Sequence, residues 1–492
     1  GLYIAAPKGF FPQQDTGRLT GSLVGSQDSS FQATKRRMDA VARIVMADPA
    51  VQAMVGFNGG GSATNTGRMF ITLKPQSERK DAADQVIARL RKATASIPGG
   101  TLYLQAVQDV RVGGRSANAQ YQYTLRGDDV QTLNEWVPVM LREVKRIKGI
   151  VDVSTDQQDG GLQARVVVDR ETAARLGLTP LAIDNALYDA FGQRQVSTIY
   201  NTLNQYHVVL EADPKYWRSP VTLSQFSVAT PAGAVVPLSA VAHFAPQTTS
   251  LSVAHQGQFP AVTISFNLAP GLALGQAVDA INDAARRVGL PATVQSSFQG
   301  TAQAFQQSLD NEALLILAAL LTVYVVLGVL YESYVHPVTI LSTLPSAGIG
   351  ALLALRMTRT DLSVIALVGI LLLIGIVKKN AILMIDFAIE AERGEGLAPT
   401  AAIYKACVLR FRPIMMTTMA ALLGAVPLAF GGGVGSELRR PLGITIVGGL
   451  IASQALTLYT TPVVYLSLER LRLFAARARS RRAAGRAAAQ SA

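Results

Sequence analysis

N-E-A-L-L-I-L-A-A-L-L-T-V-Y-V-V-L-G-V-L, Asn311–Leu330, divides this chain into two parts with different solvents. Before it, apolar runs are short, and Gly, Pro and charged residues recur. After it, one long apolar stretch follows another. A helix needs about 20 apolar residues to cross a bilayer. Stretches of that length lie at about 313–330, 337–355, 362–387, 413–430 and 441–466. The expected class is therefore α/β plus membrane α-helical, with a bundle of five transmembrane helices over 306–470.

Five is odd, so the two ends of the bundle are expected on opposite sides. Lys and Arg accumulate on the cytoplasmic side of membrane proteins. The tail carries Arg470, Arg472, Arg477, Arg479, Arg481, Arg482 and Arg486. The segment between the third and fourth runs adds Arg393, Lys405, Arg410 and Arg412, which makes eleven; the opposite side has only Arg356, Arg359, Arg439 and Arg440. A cytoplasmic basic tail at 471–492 follows, with residues 1–312 outside the cytoplasm, in the periplasm of a Gram-negative envelope.

The 492 residues carry a net charge of +12 and a mean hydropathy of +0.27. The basic balance does not point to nucleic acid. Much of it sits directly after an apolar span, and no RNA- or DNA-binding motif accompanies it. Cys407 is the one cysteine, so no internal disulfide is possible. The chain starts at Gly1 with no leader-like segment after it, and reads as a piece of something longer.

The first 305 residues contain a repeat. Gly17–Gly25 alternates like a strand and Ser30–Met46 has helical spacing. Val51–Asn58 and Arg68–Lys74 read as strands, Ala82–Ala95 as a helix and Thr101–Val110 as a strand. That order is the ferredoxin-like βαββαβ unit, expected over 1–112. A second unit runs through Ala119–Arg126, Val130–Ile147 and Val151–Asp156, and resumes at Ala261–Leu268, Ala273–Val288 and Ala292–Phe298. It is thus split over 113–159 and 246–305, around an inserted α/β domain at 160–245 with a helix near Pro180–Ala190.

No nucleotide-binding G-x-x-x-x-G-K-[ST] loop occurs. Gly59-Gly60-Gly61 reads as a flexible loop, since no helix N-terminus follows it. His207, His243, His255 and His336 match no metal-ligand spacing, and no cofactor is expected. The third apolar run is different: I-V-K-K-N-A-I-L-M-I-D-F-A places Lys378, Lys379 and Asp386 in a span. A lysine at mid-bilayer costs about 3 kcal/mol on insertion scales, so it normally faces a partner or a wet cavity. The alternative is snorkelling to the inner interface, and periodicity does not separate Lys378 from Lys379. The fourth run is expected to open at Pro413, with Thr417 and Thr418 about one turn inside. Thr417 either bonds the carbonyl one turn back or reaches across to Lys379.

K-N-A-I-L (379–383), followed by R-F-R-P-I-M-M-T-T (410–418), resembles the resistance-nodulation-division family of multidrug efflux pumps. P-K-G-F-F-P-Q-Q-D-T-G (Pro7–Gly17) resembles the start of that family's C-terminal periplasmic domain. Y-E-S-Y-V-H-P, L-S-T-L-P-S-A-G-I-G-A-L and the doubled lysine are most similar to its Mdt-type subunits. The resemblance covers all but the basic tail. It implies a proton antiporter, not an enzyme, in the bacterial inner membrane: a homotrimer, or a mixed trimer with a sister subunit. It further implies a periplasmic membrane-fusion adaptor, an outer-membrane channel and small amphipathic substrates such as drugs or bile salts.

Within that resemblance the chain corresponds to the C-terminal half. The repeats are porter subdomains and the insert a docking domain. Lys379, Arg410 and Thr417 match the proton-relay positions, with Lys378 and Asp386 beside them. The relay's two aspartates belong to the half this sequence does not contain. One departure bears on substrate: glycines occupy the loop Phe57–Ser62 where aromatics are expected, leaving Phe57 and Phe70 as pocket candidates. The nearest rival is a metal-cation exporter of the same superfamily, faintly suggested by Met415-Met416. A membrane-anchored binding or scaffold protein without transport is the other.

Overall fold

A computed structural model of the chain describes residues 2–59, 63–217 and 219–490, without the side chains of 309–313 and 471–490. Gly60, Gly61 and Ser62, and the side chains of the tail arginines from Arg472 onward, lie outside the described residues.

A short helix, α1 (Leu2–Ala5), leads into a strap, Pro7–Phe10, that runs beside Asp361–Val364. Leu362 N–H donates to Pro7 O (2.8 Å), Gly9 N–H to Leu362 O (3.1 Å) and Val364 N–H to Phe10 O (3.1 Å). Lys8 O also accepts from Gly275 N–H at 2.9 Å. A Cβ on Gly9 would stand 3.1 Å from the Asp361 side chain, so the missing side chain permits this approach.

The first repeat is β1 (Arg18–Gly25), α2 (Phe31–Met46), β2 (Val51–Asn58), β3 (Thr66–Leu73), α3 (Ala83–Thr94) and β4 (Gly100–Ala106). Its strands form an antiparallel sheet in the order β2-β3-β1-β4. Period-two alternation sorts β3: Met69, Ile71 and Leu73 are buried, while Arg68 and Phe70 are exposed. Met38, Val41 and Val45 of α2, with Val86 and Leu90 of α3, close the buried side. Each large apolar side chain so buried contributes about 1.5–3 kcal/mol. The Ser30 hydroxyl caps α2 by accepting from Ala33 N–H. At the edge of this repeat, Arg79 and Asp15 form a buried ion pair at 2.5 Å, their side chains 3% and 9% exposed. Burial would raise the Asp15 carboxyl. Arg79 and the N–H groups of Ala83 and Gly17 outweigh it and hold the group below the usual carboxylate range.

The second repeat starts with β5 (Tyr121–Gly127), α4 (Val130–Arg146) and β6 (Ile150–Thr155). The chain then enters a separate compact unit of Gln158–Ser252 with Gln27–Ser29. Its elements are β7 (Gly161–Val168), α5 (Arg170–Arg175), α6 (Pro180–Phe191), β8 (Arg194–Tyr200), β9 (Gln205–Leu210), β10 (Ser227–Ala229), β11 (Val235–Pro237) and β12 (Ala242–Thr249). β7 pairs with β12, β8 with β9 and β10 with β11, around a small core of Leu178, Ile183, Val228 and Leu238. The β8–β9 hairpin ends in apolar residues turned to solvent, Tyr200 at 75% and Leu203 at 90% exposure.

Beyond this unit, β13 (His255–Gln256), β14 (Phe259–Leu268), α7 (Leu274–Val288) and β15 (Val294–Gln299) complete the second repeat. β14 lies between β5 and β6, and β15 pairs with the other edge of β5. Its strands therefore follow the same antiparallel order as the first sheet. Tyr123, Leu125, Ile264 and Phe266 pack under Val137, Met140 and Ile281.

The remaining helices are α8 (Thr301–Tyr331), α9 (Val335–Leu341), α10 (Leu344–Met357), α11 (Val364–Glu395), α12 (Pro399–Phe430) and α13 (Ser436–Gln490). Among the described residues they supply five segments long and apolar enough to cross a membrane, the second made of α9 and α10 together. Three boundaries differ from the sequence reading. The second run breaks at Ser342–Thr343, ahead of Pro345 in the first turn of α10. The third continues to Glu395, and Gly396 ends it in the left-handed conformation. The fourth does not open at Pro413. It opens at Pro399, also in a first turn, and Pro413 lies inside it. Residues 399–412, between the third and fourth apolar runs, belong to this helix; Thr417 and Thr418 are deep within it.

Candidate functional site

α11 and α12 are joined by only a few residues and pack antiparallel. Lys405 bonds Glu395 (2.5 Å), Cys407 contacts Met384 (3.7 Å between sulfurs) and Asn380 bonds Thr418 (2.9 Å). As the first index rises in these pairs, the second falls. Ser363 caps α11 through Ala366 N–H at 3.2 Å. Lys379 therefore sits roughly 22 Å along that helix at 1.5 Å per residue.

Lys378 is half-buried on this helix, while Lys379 and Asp386 are exposed. Lys379 and Asp386 are two turns apart, roughly 10 Å, and no ion pair joins them among the described residues. Arg410 is half-buried, its guanidinium 4.8 Å from the centre of the Phe387 ring and its Nε buried without a hydrogen-bond partner among the described residues. Thr417 is exposed and donates to Ile414 O at 3.2 Å. Of the two roles open to Thr417, the structure has the bond to the preceding turn; among the described residues no hydrogen bond joins Thr417 to Lys379.

The link between the helices is made one residue further on. Asn380 Nδ2 donates to Thr418 Oγ1 at 2.9 Å and to Gln454 Oε1 at 3.4 Å, joining α11, α12 and α13. Gln454 Nε2 in turn lies 3.0 Å from Met415 Sδ. Asn380 is 7% and Thr418 5% exposed. Sequence reasoning singled out neither Asn380 nor Gln454. The available signal was an amide-bearing side chain in each of two apolar spans, where an unpaired polar group is expensive.

A second constellation lies on the open face of the first sheet. Phe57 and Phe70 are about half exposed and meet edge to face, with ring centroids 6.3 Å apart. Beside Phe70, the linker from the first repeat to the second folds over β1 and β3. Gln122 holds it by accepting from Arg115 N–H (3.0 Å) and donating to Arg115 O (2.6 Å). Gln105 donates to Ala117 O at 3.1 Å, and Arg68 to Ser116 Oγ at 3.1 Å. The half-open groove, about 320 Å³, is lined by Arg68, Phe70, Val110, Arg111 and Arg115 among others, with no carboxylate in its lining. Such a groove offers an apolar wall and concentrated positive charge. The three arginines were not singled out from sequence, because Arg111 and Arg115 meet Arg68 only through the fold. Among the described residues, no group of three or more His, Cys, Asp or Glu side chains could hold a metal ion.

Residues 1–469 match the AcrB/AcrD/AcrF family. The chain is 56% identical over 472 residues to multidrug resistance protein MdtC of Salmonella enteritidis PT4, covering 96% of this chain and 46% of that protein. The MdtC protein of Salmonella newport matches with the same identity and coverage. The chain thus spans about half the length of the curated relatives it matches. Among solved structures, a heavy metal efflux pump superposes with a TM-score of 0.82 at 25% identity, over 94% of this chain and 48% of that one. A second crystal form of a heavy metal efflux pump gives 0.84 at 25% identity, over 95% and 49%.

Proposed function

The chain belongs to the AcrB/AcrD/AcrF family of resistance-nodulation-division multidrug efflux transporters, and from that premise we propose that it forms part of a proton-driven drug exporter. The observation that carries this reading is Lys379. A lysine at the middle of a 32-residue apolar helix, exposed and without an ion pair among the described residues, is a charge awaiting an acidic partner. In the mechanism, an aspartate supplied from outside these residues pairs with Lys379 and is protonated from the periplasm. Lys379 then loses its partner, and the helices repack. Arg410 and Thr417 serve the same relay. Lys378 and Asp386, on the same helix, are its secondary members.

The two βαββαβ repeats, read as ferredoxin-like porter subdomains over 1–112 and over 113–159 with 246–305, would take up substrate in alternating access. Phe57, Phe70 and the arginine-lined groove support small amphipathic substrates with an acidic group, such as bile salts. The unit near 160–245, with its exposed apolar hairpin tip, supports a docking role toward neighbouring subunits, an adaptor and an outer-membrane channel. A periplasmic placement of 1–312 and a cytoplasmic tail follow from the Lys and Arg distribution. Metal export has less support: it rests on likeness at 25% identity, against 56% for the relatives named for drug resistance.

The test is drug and bile-salt susceptibility of an efflux-deficient Gram-negative host carrying the full-length transporter. Resistance is expected, and Lys379→Ala is expected to abolish it at unchanged protein level. Resistance that survives the substitution would remove Lys379 from the relay.

A further inference from the structure

We propose that Asn380, Thr418 and Gln454 form a positioning clasp that sets the rotation of α11 against α12, so that Lys379 and Thr417 are presented on one common face. The proposal rests on the relay reading of Lys379 given above.

The geometry follows from helix periodicity. Neighbouring residues on a helix are turned by about 100°. α11 and α12 run antiparallel, so that rotation has opposite senses when both are viewed from one end. Starting from the facing pair Asn380 and Thr418, one step back on each helix therefore leads to the same side of the plane through both axes. That step reaches Lys379 and Thr417. Both are exposed, while Asn380 and Thr418 are 7% and 5% exposed.

The second acceptor, Gln454, extends the clasp to α13, so Asn380 is fixed by two helices and not one. An amide, a hydroxyl and a second amide carry no charge at any physiological pH. The clasp therefore holds its geometry while the charges around Lys379 change, as a positioning element must. Apolar packing holds α11 in the bundle, and the clasp adds a directional polar constraint on its rotation that packing in equally apolar surroundings lacks.

The experiment uses the full-length transporter in proteoliposomes under an imposed pH gradient, with deoxycholate as the transported probe. Asn380→Ala and Gln454→Leu are expected to lower the maximal rate per folded transporter about three- to tenfold, as for loss of an interhelical hydrogen bond. The half-saturating probe concentration should not change. The exchanged pair, Asn380→Thr with Thr418→Asn, should recover most of the rate, because donor and acceptor merely trade helices. Thr418→Val keeps the side-chain shape and removes the hydroxyl, and gives the same reading if Asn380→Ala does not accumulate. A purely structural contact would lower the amount of folded protein and leave the rate per transporter unchanged; that outcome overturns the clasp. Wild-type rates in Asn380→Ala beside an inactive Lys379→Ala would discard the clasp and leave the relay standing. Full activity in Lys379→Ala would remove both.

Discussion

At the scale of single residues, the clearest electrostatic statement concerns Asp15 and Arg79. The Asp15 carboxyl is held below its ordinary range in the folded chain. Its contribution to stability is therefore fully present above about pH 4, the unfolded value, and is lost as pH falls through the lower folded value. Asp15→Asn leaves Arg79 buried without its counter-charge, which costs about 3–5 kcal/mol for a buried pair. Thermal unfolding of the full-length protein should show a markedly lower midpoint for the variant at pH 7, and the gap should narrow as pH falls below the unfolded carboxyl value. A gap constant with pH would mean the carboxylate charge is not what holds Arg79. The lysine at 379 was legible because a charge in an apolar run is conspicuous. The amides were not. Asn380 and Gln454 are 74 positions apart in sequence, and their pairing exists only once three helices have packed.

At the scale of elements, the sequence reading found the strands and helices of both repeats to within a few residues, because period-two and helical spacing are local properties. It failed where local chemistry and tertiary context disagree. Pro413 reads as a helix start and Lys405, Arg410 and Arg412 interrupt the apolar run before it, yet residues 399–412 form the first turns of α12, where Lys405 finds Glu395. Helix contacts in the bundle depend on missing side chains. A Cβ on Gly443 would collide with the Leu428 and Ala429 backbone of α12, and one on Gly448 with Ala354 of α10. A backbone cannot swing aside as a flexible side chain can. Gly443→Ala is therefore expected to destabilise by about 1–3 kcal/mol and to lower the aggregation temperature of the detergent-solubilised full-length protein.

At the scale of the whole molecule, the division into a water-facing and a membrane-type part was plain from composition, while the basic groove was not, since it assembles from β3 and a linker some forty residues away. Arg68→Ala with Arg111→Ala should raise the half-saturating concentration of deoxycholate about fivefold, as for loss of charge-assisted contacts worth about 1 kcal/mol. Export of an uncharged dye by the same variant should be unchanged. Equal loss for both compounds would place the arginines in structure and not in recognition.

The strap at Pro7–Phe10 bears on how force travels through such a molecule. Three backbone bonds fasten it to the start of α11, and a fourth fastens it to α7 through Gly275. Backbone hydrogen bonds between two chain segments give by only a few tenths of an ångström before they break. A screw-like or sliding displacement of the helix bearing Lys379 must therefore drag Lys8 and Gly9 along, and with them the first turn of a helix in the second repeat. Such a joint behaves as a tie rod, so that a step of an ångström or more at one end is passed to the other.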